Sequence, residues 1–251
     1  MDYVRIERPE ELRRTAVVCA FRGWNHGGEA ATMAASYLRE RWGARRIGDI
    51  DPEEFFDFQV TRPVVRLEGG VSRRIDWPAN EFFHASLPSR DVILFTGIEP
   101  NVRWRTFTGD ILDAARTLDA EVVVTLGAFL ADVPHSLATP VAGSAPDPAD
   151  AEALGLSASR YEGPTGIVGV LHDTANRTGM ASVSLWAAVP HYLPTGPNPK
   201  AALALVEKAS ALLGVDIEID TLARAGTAWE NQVSATIEEN EELKAYVSRL
   251  E

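Results

Sequence analysis

Ala16-Val17-Val18-Cys19-Ala20-Phe21 is followed directly by Arg22-Gly23-Trp24-Asn25-His26-Gly27-Gly28, and this stretch decides the fold class. A continuous run of apolar residues predicts a strand that is covered on both faces, as strands in parallel sheets are. The Gly-rich segment behind it predicts a tight turn, and the apolar spacing that follows predicts a helix from about Gly28 to Trp42. A strand that turns directly into a helix is the building unit of α/β proteins.

Three further apolar runs end in the same way, in a short segment rich in Gly, His, Trp or Pro. They are Val92–Phe95 before Thr96–Pro100, Val122–Leu126 before Gly127 and Asp132–His135, and Val183–Val189 before Pro190–Tyr192. If the four runs are parallel strands, all four polar segments lie along one edge of one sheet. Open α/β sheets bind their ligands at this carboxyl edge, so we expect any binding site there.

The rest of the chain predicts the other elements of the fold. Residues 45–85 contain four short strand patterns and a hairpin turn at Glu68-Gly69-Gly70, which we interpret as an antiparallel excursion attached to the main sheet. From Asp91 onward strand and helix patterns alternate, as in βαβ units. They are strands at 91–95, 121–126, 166–171 and 181–189, and helices at 103–118 and 199–213. Right-handed crossovers then place helices on both faces of the sheet.

Residues 216–251 form an acidic C-terminal segment behind an α/β domain of residues 1–215. They hold nine acids against Arg224, Lys244 and Arg249, and therefore −6 of the formal charge of −12. Mostly apolar residues recur every three or four positions and predict a long amphipathic helix. This stripe consists of Trp229, Val233, Ile237, Asn240, Leu243, Val247 and Leu250. Two interpretations stay open: the stripe packs on its own domain, or it forms a subunit contact or a docking helix.

The composition argues against several classes of protein. With 251 residues, 45% of them hydrophobic, the chain can bury a full core in one domain. A net charge of −12 argues against a general nucleic-acid or anionic-membrane binder, because both use clustered positive charge. The apolar runs are shorter than the ~20 residues of a membrane helix, and the N-terminus lacks the apolar core of a signal peptide. Cys19 has no second cysteine to pair with, so we expect a reducing compartment and a cytoplasmic protein.

The chain contains none of the common catalytic or nucleotide-binding motifs. The turn at residues 22–28 matches neither G-x-G-x-x-G nor G-x-x-x-x-G-K-[ST], and there is no G-x-S-x-G elbow and no H-E-x-x-H. Neither Asp132 with His135 nor His172 with Asp173 has the spacing of a defined metal site. We therefore assign no catalytic residue, no metal ligand and no cofactor.

The histidines nevertheless gather near predicted strand ends. Three follow a strand directly, one lies near a strand end and one opens a loop: His26, His135 and His191, then His84, then His172. Together with Trp24, Glu99 and Trp104 they would bring imidazoles, a carboxylate and indoles to the carboxyl edge. Such groups form either a polar pocket with aromatic walls or a hydrogen-bonded network that only holds loops in place. Both interpretations stay open.

The strand-end motifs, together with two further segments, resemble one known family. They are Gly23-Trp24 with Gly28-Glu29-Ala30-Ala31, Thr96-Gly97-Ile98-Glu99-Pro100 with Trp104, Leu126-Gly127-Ala128 with Asp132-Val133-Pro134-His135, Gly163-Pro164-Thr165-Gly166-Ile167, and Trp186–Tyr192 with Asn198-Pro199-Lys200-Ala201. In this order, over nearly the whole chain, they resemble the proteasome assembly chaperone family of the second-chaperone type. The chain is similar in particular to the uncharacterised actinobacterial branch of that family.

The resemblance implies a fold, an assembly and a partner. The fold is a three-layer α/β/α sandwich with a mixed, mainly parallel sheet, similar to phosphorylases and hydrolases of this architecture, followed by C-terminal helices. The assembly is a homo-oligomer, with a trimer favoured. Eukaryotic and archaeal relatives are chaperones for proteasome α-subunits rather than enzymes, so those subunits are the implied partners. Likeness of fold to a phosphorylase does not transfer its chemistry.

The C-terminus departs from the family's pattern. Relatives that dock on the proteasome often end in a hydrophobic-Tyr-any motif, whereas this chain ends in Ser248-Arg249-Leu250-Glu251. Its Ala245-Tyr246-Val247 is internal and has no terminal carboxylate to offer, so we do not expect docking by that route. Homologues of this branch run further, and whether the biological terminus extends past Glu251 stays open.

Two hypotheses follow. The first, which the resemblance favours, is a non-enzymatic, cytoplasmic homo-oligomer of the proteasome-assembly-chaperone type that acts through protein contacts, and sequence does not separate it from a relative that retains assembly alone. The second is a small-molecule-binding protein or enzyme with a phosphorylase/hydrolase-like pocket at the carboxyl edge. Neither involves nucleic acid or a membrane. The edge residues that either bind a ligand or hold the structure are Trp24, His26, Glu99, Trp104, His135, His191, Tyr192 and Asn198.

Overall fold

The computed structural model describes residues 3–157, 161–193 and 196–251. Its strands are β1 (Val4–Ile6), β2 (Thr15–Arg22), β3 (Arg45–Ile50), β4 (Val64–Glu68), β5 (Ser72–Asp76), β6 (Asn80–Ser86), β7 (Asp91–Ile98), β8 (Ala120–Ala131), β9 (Val141–Ser144) and β10 (Ala181–Pro190). Its helices are α1 (Ala30–Arg41), α2 (Trp104–Thr117), α3 (Pro148–Ala153), α4 (Ile167–Arg177), α5 (Pro199–Leu213), α6 (Asp220–Glu238) and α7 (Glu241–Leu250). Among the described residues, no helix is both long and apolar enough to span a bilayer.

The four apolar runs of the sequence are neighbouring parallel strands at the centre of one sheet. Eight strands pair in the order β1-β3-β6-β7-β2-β8-β10-β9, and β7, β2, β8 and β10 are parallel to one another. The outer pairs are antiparallel, so the sheet is mixed, with five of its eight strands running in the same direction. The predicted mixed sheet is confirmed.

Residues 45–85 form the predicted antiparallel excursion, but only half of it joins the main sheet. β3 and β6 pair with each other, and β6 pairs with β7. β4 and β5 instead form a separate two-stranded hairpin. Gly69 and Gly70 turn the chain with φ of +60° and +76°, a left-handed conformation that glycine adopts without steric cost.

Helices cover both faces of the sheet, because the side chains of each central strand alternate between two cores. In β2, Ala16, Val18 and Ala20 pack with α1 and α5 on one face. Val17, Cys19 and Phe21 pack with α2 and α4 on the other. All six are buried, as the continuous apolar run predicted. The chain is therefore the predicted three-layer α/β/α sandwich, with further helices at its C-terminal end.

The strand predicted at 166–171 is wrong, because these residues begin helix α4. Ile167, Val168, Leu171 and Ala175 are all buried, and their spacing of one, three and four residues lies on one face of a helix. Consequently His172 does not open a loop. It lies within α4, where its Nδ1 is 2.8 Å from Ser182 Oγ of β10.

The prediction of a single long C-terminal helix is also wrong in one respect, because the helix is interrupted between α6 and α7. The side chain of Asn240 accepts a hydrogen bond of 3.0 Å from the N–H of Leu243 and begins α7. Leu222, Gly226 and Ile237 of α6 are buried, and α6 packs along α5. The apolar stripe therefore packs in part on the chain's own helices.

Candidate functional site

The carboxyl ends of the central strands bring the predicted edge residues to one side of the sheet. Arg22 of β2 pairs with Ile98 of β7, and Ala131 of β8 pairs with Pro190 of β10, so all four polar segments start at this edge. β8 runs five residues further than predicted, to Ala131. The function of this edge depends on whether these side chains already have hydrogen-bond partners within the chain.

Glu99, just after β7, holds two other segments together with its carboxylate. Oε2 accepts a hydrogen bond of 2.9 Å from the backbone N–H of Trp24, and Oε1 accepts one of 2.8 Å from the N–H of Ile167. The second bond satisfies a free N–H at the start of α4, where the helix dipole favours a negative charge. The carboxylate of Glu99 therefore acts within the fold, tying β7 to the β2 turn and to α4.

Glycine is required on both sides of this carboxylate. A Cβ at Gly23, where φ is +148°, would lie 2.6 Å from Glu99 Cβ. A Cβ at Gly166 would lie 2.7 Å from Glu99 Oε1 and 2.1 Å from Asn25 Nδ2. Asn25 is itself 2% exposed, and neither polar atom of its side chain has a hydrogen-bond partner among the described residues. The segments at this end of the edge are packed closely around Glu99.

The two candidate tryptophans do not form the two walls of a pocket. Trp24 contributes its backbone N–H to Glu99, while its side chain is 60% exposed. Trp104 opens α2, and its Nε1–H donates a hydrogen bond of 2.6 Å to the carbonyl oxygen of Pro100. Its ring packs against the core beneath α2 and α4. One indole therefore faces solvent and the other is used inside the fold.

His26 and Asn198 lie where the β2 turn meets the start of α5. Asn198 caps α5 by accepting a hydrogen bond of 2.9 Å from the N–H of Ala201, and its own N–H donates to Gly28 O at 2.7 Å. Gly28 has φ of +55°, and a Cβ there would lie 2.8 Å from Asn198 Cβ. His26 Nδ1 is 3.3 Å from Thr32 Oγ1, and burial lowers the pKa of this imidazole. Both residues hold the turn.

His135 is as deeply buried as Asn198, and both of its ring nitrogens have hydrogen-bond partners. The hydroxyl oxygen of Tyr192 accepts from its backbone N–H at 2.8 Å and lies 3.0 Å from its Nδ1. The Nε2 of His135 lies 3.0 Å from Ser234 Oγ of α6, so both ring nitrogens have a hydrogen-bond partner. His135 is 5% exposed, and burial lowers its pKa and raises that of Tyr192. The imidazole is therefore a neutral link between β10 and α6.

His191 anchors the last helix rather than meeting His135. Its Nδ1 lies 3.2 Å from Asp132 Oδ1, and the hydroxyl of Tyr246 in α7 donates to the same oxygen at 3.1 Å. The rings of His191, Tyr192 and Tyr246 stand edge to face, with centroids 5.4–6.1 Å apart. Asp132 thus pairs with His191 rather than with His135, which lies three residues further along the chain.

The eight candidates therefore form a chain of structural contacts along the edge, in three groups. These are Glu99 with Trp24 and Trp104, then His26 with Asn198, then His135 with Tyr192 and His191. Ser234 and Tyr246 bring α6 and α7 onto the third group. Sequence reasoning missed Ser234, whose only signal is that it lies on the predicted amphipathic helix, and named Tyr246 only as part of the Ala245-Tyr246-Val247 motif. Lys200, whose Nζ donates to His135 O at 2.7 Å, was noted only as part of a motif.

Within the described ranges, no three His, Cys, Asp or Glu side chains are grouped as a metal site requires. Two surface depressions lie against β3, lined by residues that include Arg5, Gly48, Asp51 and Trp77. None of the eight candidates lines either depression.

Solved structures show the same architecture. A PAC2 family protein from Streptomyces avermitilis is 42% identical, with a TM-score of 0.85 over 93% of this chain and 99% of that one. A proteasome-assembly chaperone homologue from Mycobacterium tuberculosis is 45% identical, with a TM-score of 0.85 over 92% and 99%. PbaB, an archaeal proteasome activator from Pyrococcus furiosus, shares the fold at 18% identity, with a TM-score of 0.73 over 94% and 99%.

These likenesses define the class first: an α/β/α sandwich of the kind found in proteasome-assembly chaperone homologues. The family model then names it more closely, since it matches residues 20–237, and the chain belongs to the PAC2 family. The resemblance read from the strand-end motifs is confirmed, including its actinobacterial relatives. A search of curated proteins finds no significant match.

Proposed function

We propose that this protein is a non-enzymatic chaperone of the proteasome-assembly type, which acts in the cytoplasm as a homo-oligomer through protein contacts. The observation that carries the proposal is the occupied carboxyl edge. Both oxygens of Glu99 accept backbone N–H groups, and every polar atom of the His135 ring has a partner in the chain. In an enzyme of this architecture, that edge would be left open for a substrate.

The proposed partners are proteasome α-subunits, and two facts support them. The chain belongs to the PAC2 family, and its Mycobacterium tuberculosis relative is a proteasome-assembly chaperone homologue. We further propose that residues 216–251 form a distinct acidic segment on the α/β domain of residues 1–215 and present a contact surface. Tyr246 donates a hydrogen bond to Asp132 within the fold, which favours contact through folded surfaces.

A direct test mixes the purified protein with proteasome α-subunits from the same organism. We expect a complex by light scattering after size exclusion, and faster assembly of α-subunit rings in native mass spectrometry. An unrelated acidic protein of similar net charge is the control, because it separates specific contact from electrostatic attraction. Absence of a complex at tens of micromolar, with assembly rates equal to the control, would overturn the proposal.

The same sample also tests the alternative hypothesis of an enzyme or a small-molecule sensor. Nucleosides, nucleotides and other polar metabolites are added in thermal-denaturation measurements, where a bound ligand raises the unfolding temperature by mass action. We expect no shift. A ligand that stabilises the wild type, but not His191→Gln, would show that the edge binds small molecules and would contradict a purely structural edge.

A further inference from the structure

The hairpin of β4 and β5 carries a bare apolar face. Strand alternation and the pairing of Val65 with Ile75 put Val65, Leu67 and Ile75 on one side of it, together with Arg73. These three apolar side chains are 56%, 64% and 52% exposed. We call them the hairpin face.

The opposite side of the hairpin is charged and already internally paired. Arg74 lies 2.8 Å from Asp76 and 3.0 Å from Glu68, and Arg66 also pairs with Asp76. The pairs Arg74–Glu68 and Arg66–Asp76 join the two strands and hold them in register, whereas Arg74–Asp76 lies within β5. The hairpin is therefore amphipathic, with its polar side satisfied and its apolar side open to solvent.

An amphipathic hairpin of this size needs another surface to pack against its apolar side. Two strands alone are at best marginally stable in water, and stability requires a third strand or packing against another element. β4 and β5 form their own sheet, and all five residues of β4 are exposed. An exposed apolar patch rimmed by charges is typical of a protein contact site.

Charge indicates what covers it. Residues 62–76 contain four arginines and two acids, so they carry +2 while the rest of the chain carries −14. The hairpin is thus a basic projection on an acidic molecule. A second copy of the same chain offers it an acidic surface of complementary sign.

The best complement on a second copy lies at the other end of the carboxyl edge. Leu130 and Leu137 are 48% and 51% exposed there, and α7 lies beside them through Tyr246 on Asp132 and Glu251 on Ser136. We call Leu130, Leu137 and the exposed acids Asp132 and Glu251 the acidic shelf. It combines apolar side chains with the opposite charge.

A single copy does not bring these two surfaces together. The hairpin follows β3 and leads into β6, while the shelf follows β8 and β10. In the sheet order these pairs are four strand positions apart, roughly 19 Å at the usual strand spacing. Each copy thus presents the hairpin face at one end of the carboxyl edge and the acidic shelf at the other end.

We propose that the hairpin face of one copy docks on the acidic shelf of a second copy. The contact is heterologous, because each copy contributes a different surface, and it closes into a ring when the rotation permits. This proposal rests on the homo-oligomer in the proposed function and adds the surfaces that form it.

The test uses two variants of the full chain that weaken opposite surfaces. Val65→Ser with Leu67→Ser alters the hairpin face, and Leu130→Ser with Leu137→Ser alters the shelf. Val102→Ser, at an exposed apolar residue elsewhere, is the matched control. Circular dichroism checks that each variant is folded, and sedimentation velocity measures association.

We expect an oligomeric wild type and control, and at least a tenfold weaker self-association for either double variant. Raising the ionic strength should weaken the wild-type association, since the surfaces have opposite charge. Mixing the two variants should restore one-to-one dimers, because each partner retains one intact surface. These one-to-one dimers do not form if the hairpin of one copy packs against the hairpin of another copy.

Several results would overturn the docking surface. An oligomeric wild type whose hairpin variant associates equally well rejects these surfaces and leaves the homo-oligomer standing. Mixed variants that stay monomeric reject the heterologous contact. A monomeric wild type rejects both the contact and the homo-oligomer, while binding of α-subunits is measured separately. A hairpin variant that keeps self-association but loses α-subunits assigns the hairpin to that partner instead.

Discussion

The carboxylate of Glu99 accepts a hydrogen bond of 2.8 Å from the backbone N–H of Ile167, 68 residues further along the chain. This bond fixes the end of β7 to the first turn of α4, and a second bond from Trp24 N–H adds the turn after β2. One side chain therefore joins three segments of the sandwich at the edge where related architectures bind ligands.

Removing this carboxylate should destabilise the fold. We expect Glu99→Ala to lower the free energy of unfolding by about 3 kcal/mol, because hydrogen bonds to charged groups contribute roughly 1.5–3 kcal/mol each. Glu99→Gln keeps one acceptor oxygen and should lose about half as much. Urea denaturation followed by circular dichroism measures both. A loss below about 0.5 kcal/mol for Glu99→Ala would contradict a structural role.

Close packing around the carboxylate should make Gly166 intolerant of a side chain. A Cβ there would meet Asn25 Nδ2 and Glu99 Oε1, so we expect Gly166→Ala to cost about 1–3 kcal/mol. Gly109→Ala is the control, because Gly109 lies inside α2 with nothing within 4 Å of its Cβ position. That change should stabilise the protein by about 0.5–1 kcal/mol. Equal effects of the two substitutions would argue against tight packing at Gly166.

Stability should fall as the pH drops below neutrality. Burial lowers the pKa values of His26, His135 and His172 in the folded state, so the unfolded chain binds more protons. Their contribution is complete above the unfolded histidine pKa of about 6.5 and is lost as the pH falls through the lowered folded values. Urea midpoints between pH 7.5 and pH 5 measure this slope. His135→Gln should make it shallower, and an unchanged slope would exclude His135 as a source.

The thiol of Cys19 should be inert in the native protein. Cys19 is fully buried in β2, and burial raises its pKa far above the usual range, so thiolate is scarce and inaccessible. We expect a colourimetric disulfide reagent to react with it only at the rate of unfolding, and at once in strong denaturant. Rapid native labelling would mean that β2 opens without global unfolding.

The central fold was readable from the sequence because burial on both faces leaves a continuous apolar run, as in Ala16–Phe21. Helix α5 was predicted at its observed bounds, since Asn198 and Pro199 begin it and Gly214 ends it with φ of +62°. The start of α4 was not readable. Ile167 and Val168 are β-branched and favour a strand locally, and the carboxylate that accepts the first N–H of the helix comes from distant Glu99.

For the candidate site, the sequence predicted which residues lie at the carboxyl edge but not which partners they contact. Parallel strands necessarily collect their ends at one edge, so the eight candidates were expected to share it. Their partners were not visible, because Glu99 binds backbone N–H groups and His135 binds a serine on α6, and neither leaves a pattern in the sequence. Asn240 was counted in the apolar stripe, although its side chain begins a new helix.

The carboxylate of Glu99 at the start of α4 also affects how well a free anion can bind to this helix terminus. A group tethered to the same chain acts at a high effective concentration, which a diffusible anion must exceed to displace it. Free phosphate or a metabolite carboxylate thus meets a helix terminus that is already neutralised. The fold itself therefore supplies the negative charge that this helix terminus favours.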